Sequence, residues 1–447
     1  MRFALGRIEA LNGPLNAWAV VDGERAVRDA QLVDAGIAAG DEVGPLAGIP
    51  IGVKDIEDAE GFRTGYGSVM HADDPPARTD SVLTARLRRA GCVVVGKTTT
   101  PEHGWGADTQ SVRWGITRNP WNLERTPGGS SGGTAVALAT GMVPLATGSD
   151  GGGSIRIPGA LCGLSAIKTT NGLIPLGGRN PPGAGVLGVR GPMTRRIADA
   201  AYALQVCVGA DPTDAFSVPA SPTSWTELDA RLPGRVIWAP APGFHVDAEI
   251  ARVCAQAVAR LEAEGTEVVV VDELFQSSPL EDWFVLWTVM RERAHGHLRA
   301  TADWERIDPG LREQMNYAHW YVDAPAFMKA MDGIHRANLD LAHHFEQAAI
   351  ILLPTVAGQT PVIGNWGTVN SEEWPYWVAF PPVFNMTRHP AGTLCAGYTS
   401  DGMPVGLQVV AERFRDLAVL QTIHAFERIL DDDRRPTAHL DVDVRVT

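Results

Sequence analysis

The chain carries two glycine–serine clusters, GGSSGG at 128–133 and GSDGGGS at 148–154, joined by an apolar run of mostly small residues. Glycine serves where φ must be positive or where another group must come close to the backbone, and it weakens helices and strands elsewhere. Two dense runs this near each other predict two site-building loops, with a buried helix and then a strand between them. In Gly151, Gly152, Gly153 and Ser154, successive unshielded amides can form a concave nest for an anion. The adjacent hydroxyl could attack a carbonyl, so the group reads as a nucleophile with its oxyanion hole. A flexible linker would not enclose the apolar segment AVALATGMVPLAT. A phosphate loop would need GxxxxGK[ST], or GxGxxG between a strand and a helix with an acid about twenty residues on, and neither is present.

A hydroxyl is a poor nucleophile until a base takes its proton, and no histidine lies beside either cluster in sequence. A neutral lysine can serve instead. GIPIGVKDI at 48–56 reads as a short buried strand with Lys54 near its end, where a cation has no structural role unless it points into a cleft.

These segments, together with RIEALNGPLNAW (7–18), GWGADTQSVRWGITRNPWN (104–122), GPMTRRIADAAYAL (191–204) and TSDGMPVGLQVV (399–410), resemble the amidase signature family of serine hydrolases. The resemblance implies an α/β fold with a large mixed, twisted β-sheet flanked by helices on both faces. It implies one domain over 1–447, with a catalytic core at 44–205, a variable helical, tryptophan-rich pocket region at 279–377, and a strand and helix completing the sheet at 380–430. It makes Lys54 the base, Ser130 the bridging serine that relays the proton, and Ser154 the nucleophile. Ser130 and Ser154 have the family's spacing, which selects Ser130 over Ser131. Gly151, Gly152 and Gly153 supply the oxyanion hole together with the Ser154 amide, while Ser131, Asp150 and Arg156 support the loops. A cis Gly129–Ser130 peptide, an acyl-enzyme, and no metal or organic cofactor are also implied. The tryptophans point to apolar or aryl amides, anilides and carbamates as substrates. The alternative with the same signature is the glutaminase subunit of a tRNA-dependent amidotransferase; the tryptophan-rich middle and KTTNGLIP at 168–175 stand against it. Against the family pattern the chain begins late, as either a shortened form or one whose start was assigned downstream.

The formal net charge of −14 argues against a nucleic-acid backbone or an anionic membrane as partner, since both need clustered Lys and Arg. Five scattered cysteines without CxxC suit reduced thiols. With neither a signal peptide nor a run of about twenty apolar residues, a cytoplasmic monomer or homodimer acting on a small molecule is expected.

Elsewhere, residues 14–40 predict a helix burying Ala26, Val27, Ala30, Leu32, Val33 and Ala35. Residues 81–100 predict a helix and then a strand, with Lys97 structural because its GKT lacks the upstream glycine of a P-loop. Trp105, Trp114 and Trp121 either wall the pocket or pack on the sheet. A Gly/Pro-rich surface loop at 177–185 leads to a helix beginning at Met193 and Thr194, and 212–225 is a connector. A strand, helix and strand follow over 234–271, then helices over 279–347 with an aromatic concentration that includes Trp283 and Trp287. Arg388 and His389 are placed at the entrance, and no G-x-S-x-G elbow exists to receive His389 in a Ser-His-Asp triad.

Overall fold

Valines in register along residues 93–95 bury alternately on opposite sides: Val94 packs with Ile51, Val53 and Leu145, whereas Val93 and Val95 pack with Ala146 and Met193. A strand buried on both faces needs helices on both, and the architecture follows from that requirement. The computed structural model describes residues 1–178, 181–220, 224–229 and 232–436. Its strands are β1 (Trp18–Val21), β2 (Pro50–Lys54), β3 (Val93–Thr98), β4 (Gln110–Ser111), β5 (Gly115–Ile116), β6 (Leu145–Asp150), β7 (Ala166–Lys168), β8 (Val189–Thr194), β9 (Arg235–Trp238), β10 (Glu267–Val270), β11 (Ile350–Pro354), β12 (Thr368–Val369), β13 (Glu372–Glu373), β14 (Ala391–Tyr398) and β15 (Pro404–Ala411). Its helices are α1 (Arg2–Leu15), α2 (Gly23–Ala39), α3 (Val82–Arg89), α4 (Gly132–Ala139), α5 (Arg156–Leu161), α6 (Ile197–Cys207), α7 (Ala248–Ala263), α8 (Leu280–His295), α9 (Pro309–Tyr321), α10 (Ala324–Phe345), α11 (Pro381–Met386) and α12 (Asp416–Leu430).

Five strands form one sheet in the order β1-β3-β2-β6-β8, with β2 parallel to both β3 and β6 and the two edge strands antiparallel to their neighbours. Six form a second in the order β10-β9-β11-β15-β14-β7, parallel across β10, β9 and β11 and antiparallel beyond. The two sheets meet just outside β7 and β8, where the Ser165 amide donates to the Arg195 carbonyl, 3.2 Å. Helices α3, α6, α7 and α12 cover one side of this double sheet, α1 and α4 the other side of the first sheet, and α10 and α11 the other side of the second. Among the described residues no helix is long and apolar enough to cross a membrane, and all five cysteines are unpaired.

Two expectations are corrected here. The stretch 14–40, expected as one helix, holds only the last two residues of α1, then β1, and then α2 from Gly23. α1 buries Ala4, Ile8, Leu11 and Leu15, whereas α2 buries Ala26 alone, sets Ala30 and Val33 at the margin, and leaves Leu32 71% exposed. Met193 and Thr194 do not start a helix. They end β8, opposite Ala146 and Leu145 of β6, and α6 begins at Ile197. A strand buried on both faces lacks the period-two polarity that would mark it in sequence. Part of the 212–225 connector, residues 221–223, and part of the 177–185 loop, residues 179–180, lie outside the described residues.

For function the decisive placement is that of β2 and β6. They run parallel and adjacent, so Lys54 and the Ser149–Asp150 end of β6 emerge together at the carboxyl edge of the sheet, where open α/β sheets bind ligands.

Candidate active site

Lys54 is the last residue of β2 and has no solvent exposure. Its Nζ lies 2.7 Å from Ser130 Oγ, 2.9 Å from Ser131 Oγ and 2.8 Å from Ser149 Oγ. Among the described residues no carboxylate pairs with it. Burial disfavours the ammonium form and pushes the Lys54 pKa down to about 7; Glu57 and Asp150 pull it up, and Arg291 and Arg190 push it further down. A neutral amine offers two protons and one lone pair, which suits three hydroxyl neighbours. Ser131 Oγ donates onward to the Ser149 carbonyl, 3.3 Å, so it accepts from Lys54. Of Ser130 and Ser149, one takes the second amine proton and the other can face the lone pair.

Ser149 is a functional residue that the sequence reading misses. The signal for it is the period of β6: Thr147 Oγ1 accepts the Lys54 backbone amide, 3.0 Å, and Ser149, two residues on, faces the same way and reaches the side chain.

The first glycine cluster is shaped by close approach. A Cβ on Gly129 would stand 2.1 Å from the Asp108 carbonyl oxygen, and Thr109 Oγ1 both donates to the Gly128 carbonyl (2.8 Å) and accepts the Gly132 amide (3.2 Å). The Gly129–Ser130 peptide is cis. The second cluster is brought alongside by the Ser131 amide, which donates to the Ser154 carbonyl, 3.2 Å. Ser154 is 8% exposed, against none for Lys54, so it stands at the edge of the buried hydroxyl cluster.

Asp150 organises the turn after β6. Its carboxylate accepts the amides of Gly153 (2.7 Å) and Ile155 (3.1 Å) and a two-pronged contact from Arg156 (2.9 and 3.0 Å). Burial alone would raise the Asp150 pKa, but the Arg156 guanidinium overrides it and holds the acid at about 2. Arg156 continues to Gln408 Oε1 of β15 (2.8 Å) and Asn385 Oδ1 of α11 (2.6 Å), and Asn385 donates back to the Asp150 carbonyl (2.9 Å). Of the amides expected to receive an oxyanion, that of Gly153 is already bonded to Asp150, whereas those of Gly151, Gly152 and Ser154 have no acceptor among the described residues.

Two tryptophans of α8 form the wall over this turn. Trp283 Nε1 donates to the Gly151 carbonyl, 3.1 Å, and stacks on Trp287 with ring centroids 5.3 Å apart. A Cβ on Gly152 would lie 2.4 Å from the Trp283 ring and one on Gly151 2.8 Å from the Trp287 ring, so both positions require glycine. The tryptophans nearer the start of the chain are anchors: Trp114 donates to Asp55 (2.9 Å), Trp121 to the Cys162 carbonyl (3.0 Å), and Trp105 packs around the Ile307, Leu311 and Met315 cluster.

Lys97 is fully buried and bonds the Glu57 carbonyl and Thr64, away from both glycine clusters. His389 is not at an entrance. It is 3% exposed and stacked on Phe345, and burial, reinforced by Lys168 and Arg413, pushes its pKa to about 3. Lys168 is a further buried lysine that no sequence signal marks, bonded to the Thr169 carbonyl (2.8 Å) and Asn171 (3.0 Å) and pushed down to about 7 by burial.

The family model described as Amidase matches residues 1–420. An acylamidase of Rhodococcus erythropolis is 35% identical over 452 residues, covering 97% of this chain and 92% of that protein. A glutamyl-tRNA(Gln) amidotransferase subunit from Alkaliphilus metalliredigens is 30% identical over 462 residues, covering 95% and 91%. A bacterial aryl acylamidase of the amidase signature family is similar in structure with a TM-score of 0.88 at 26% identity, covering 95% of this chain and 91% of that one. With its mixed sheets sandwiched by helices, the chain belongs to the amidase signature family and is a hydrolase of carbon–nitrogen bonds in amides.

Proposed function

We propose that the chain hydrolyses apolar or aryl amides and anilides, and aryl carbamates by the same carbonyl chemistry, through an acyl-enzyme on Ser154. The observation that carries this reading is Lys54: a fully buried amine with a pKa of about 7 and three hydroxyls between 2.7 and 2.9 Å.

In this mechanism neutral Lys54 draws the Ser130 proton as Ser130 takes that of Ser154, and Ser154 Oγ bonds to the substrate carbonyl carbon. The oxyanion is received by the amides of Gly151, Gly152 and Ser154, which are fixed before reaction and need no reorganisation. The proton returns through Ser130 to the leaving nitrogen as the C–N bond breaks. Water, deprotonated along the same relay, then cleaves the acyl ester and regenerates Ser154. Ser131 and Ser149 orient the amine, and Asp150 with Arg156 holds the turn. The Trp283–Trp287 wall supports an apolar or aryl substrate body, since burying one aromatic group supplies about 2 kcal/mol.

The test is threefold. Ser154→Ala should abolish turnover while preserving the fold, and a fluorophosphonate should label Ser154. A p-nitroanilide or aryl carbamate should exceed acetamide in kcat/KM by at least about tenfold. A variant keeping a tenth of the wild-type rate removes Ser154 from its role; glutamine as the best substrate would favour the amidotransferase reading.

A further inference from the structure

Arg291 lies one turn after Trp287 on α8 and is 4% exposed. Its guanidinium stacks on the Trp287 ring with Cζ 3.8 Å from the centroid, and its Nη1 donates to the His103 carbonyl, 3.1 Å. The buried Nε has no partner, and no carboxylate among the described residues pairs with this group. Two acids in the same helix have cations of their own: Glu292 holds Arg299 through both oxygens (2.9 and 2.8 Å), and Asp282 faces Arg336 at 3.1 Å. The rings around it are neutral. His103 and His295 stack 4.0 Å apart, and burial pushes His103 well below the usual imidazole range and His295 down to about 3. An unpaired buried cation is costly for a fold unless a ligand completes it.

The location of Arg291 says which ligand. The Trp287 ring under it abuts Gly151 of the oxyanion turn. His103, which receives its Nη1, precedes Gly104, whose Cβ would stand 3.1 Å from Ser130 Oγ. The guanidinium is therefore bracketed by the two walls of the reaction site. Arg190 adds a second cation. It is paired with Ser149 across β6 and β8, and directly opposed residues of antiparallel strands project on the same side. Ser149 reaches Lys54 on that side, so Arg190 emerges there too, with no side-chain hydrogen bond or ion pair among the described residues. Glu57 is the counter-charge that Arg190 acts on most strongly, and Asp150 is already paired with Arg156, so neither acid is turned to Arg291.

We infer that Arg291 forms a carboxylate-binding subsite, and that the amides hydrolysed here carry a carboxylate on the apolar body that lies along Trp283 and Trp287. The inference rests on the serine amidase reading above. Among the described residues neither Nε nor Nη2 of Arg291 has an acceptor, and this edge of a guanidinium is the one that meets a carboxylate with two parallel hydrogen bonds.

Two matched pairs test it on the whole chain. Succinanilate against butyranilide places the carboxylate on the acyl side; 4-acetamidobenzoate against 4-methylacetanilide places it on the leaving side. In at least one pair the wild type should favour the carboxylate by about tenfold or more in kcat/KM. Arg291→Leu should bring that ratio to near one, and Arg291→Lys, with the charge but not the fork, should keep part of it. Equal or better turnover of the neutral member in both pairs overturns the inference and leaves the serine amidase reading standing, as does a ratio that survives Arg291→Leu. A binding arm needs neither variant nor turnover: 3-phenylpropanoate should raise the wild-type Tm more than 3-phenylpropan-1-ol does, and equal shifts overturn the subsite. If no anilide is hydrolysed, the aryl-amide reading fails and this arm alone decides the carboxylate.

Discussion

The indole N–H of Trp283 donates to the carbonyl of Gly151 across 132 positions of sequence, and its ring occupies the space a side chain on Gly152 would need. A helix outside the motif segments thus fixes the peptide planes of the glycine turn after β6. Trp283→Phe keeps most of the ring and deletes the donor, a loss of about 1 kcal/mol where a carbonyl is left unpaired. The kcat on an anilide should fall about three- to tenfold, with KM changing less. An unchanged kcat would reduce Trp283 to packing.

Asp150 and Arg156 are both without solvent exposure, so removing one partner strands the other. Asp150→Asn should lower unfolding stability by roughly 3–5 kcal/mol, read from denaturant midpoints. The folded pKa of about 2 lies below the unfolded value of about 3.9. The stabilisation from this pair is therefore fully present above the unfolded value and is lost as pH falls toward 2. Between these values the wild type should lose stability more steeply than Asp150→Asn. Parallel curves would contradict the assignment.

The two glycine clusters and the strand ending in Lys54 are legible in the sequence because each carries its cause locally: glycine where backbones approach, and a cation at the end of an apolar run. Ser149 sits inside the second cluster, but its role depends on which face of β6 it takes beside β2, and that pairing is non-local. The use of the Gly153 amide is hidden for the same reason, because only the fold shows Asp150 turning back to accept it. β8 and β14 escape a reading by periodicity because strands buried among neighbours have no polar face to alternate with. Trp283 and Trp287 stand out in the sequence only as members of a larger aromatic group. Trp320 and Tyr321, 70% and 76% exposed, share that group and face solvent, so composition could not say which rings meet the glycines.

The proposed relay through Ser130 and Ser154 requires Lys54 to be neutral when it acts, and the pH dependence of kcat/KM on a p-nitroanilide measures that most directly. Burial holds its pKa at about 7. Below that value the amine is protonated and cannot take a proton, so activity should rise through one ionisation near neutrality to a plateau on the alkaline side. Lys168, also pushed down to about 7, is the rival ionisation, and His389, at about 3, is already neutral throughout. Lys54→Ala should remove the acid limb together with most of the rate, while Lys168→Met and His389→Ala should keep the limb in place. A limb that persists in Lys54→Ala and disappears in either of the other variants would contradict the Ser-Ser-Lys mechanism.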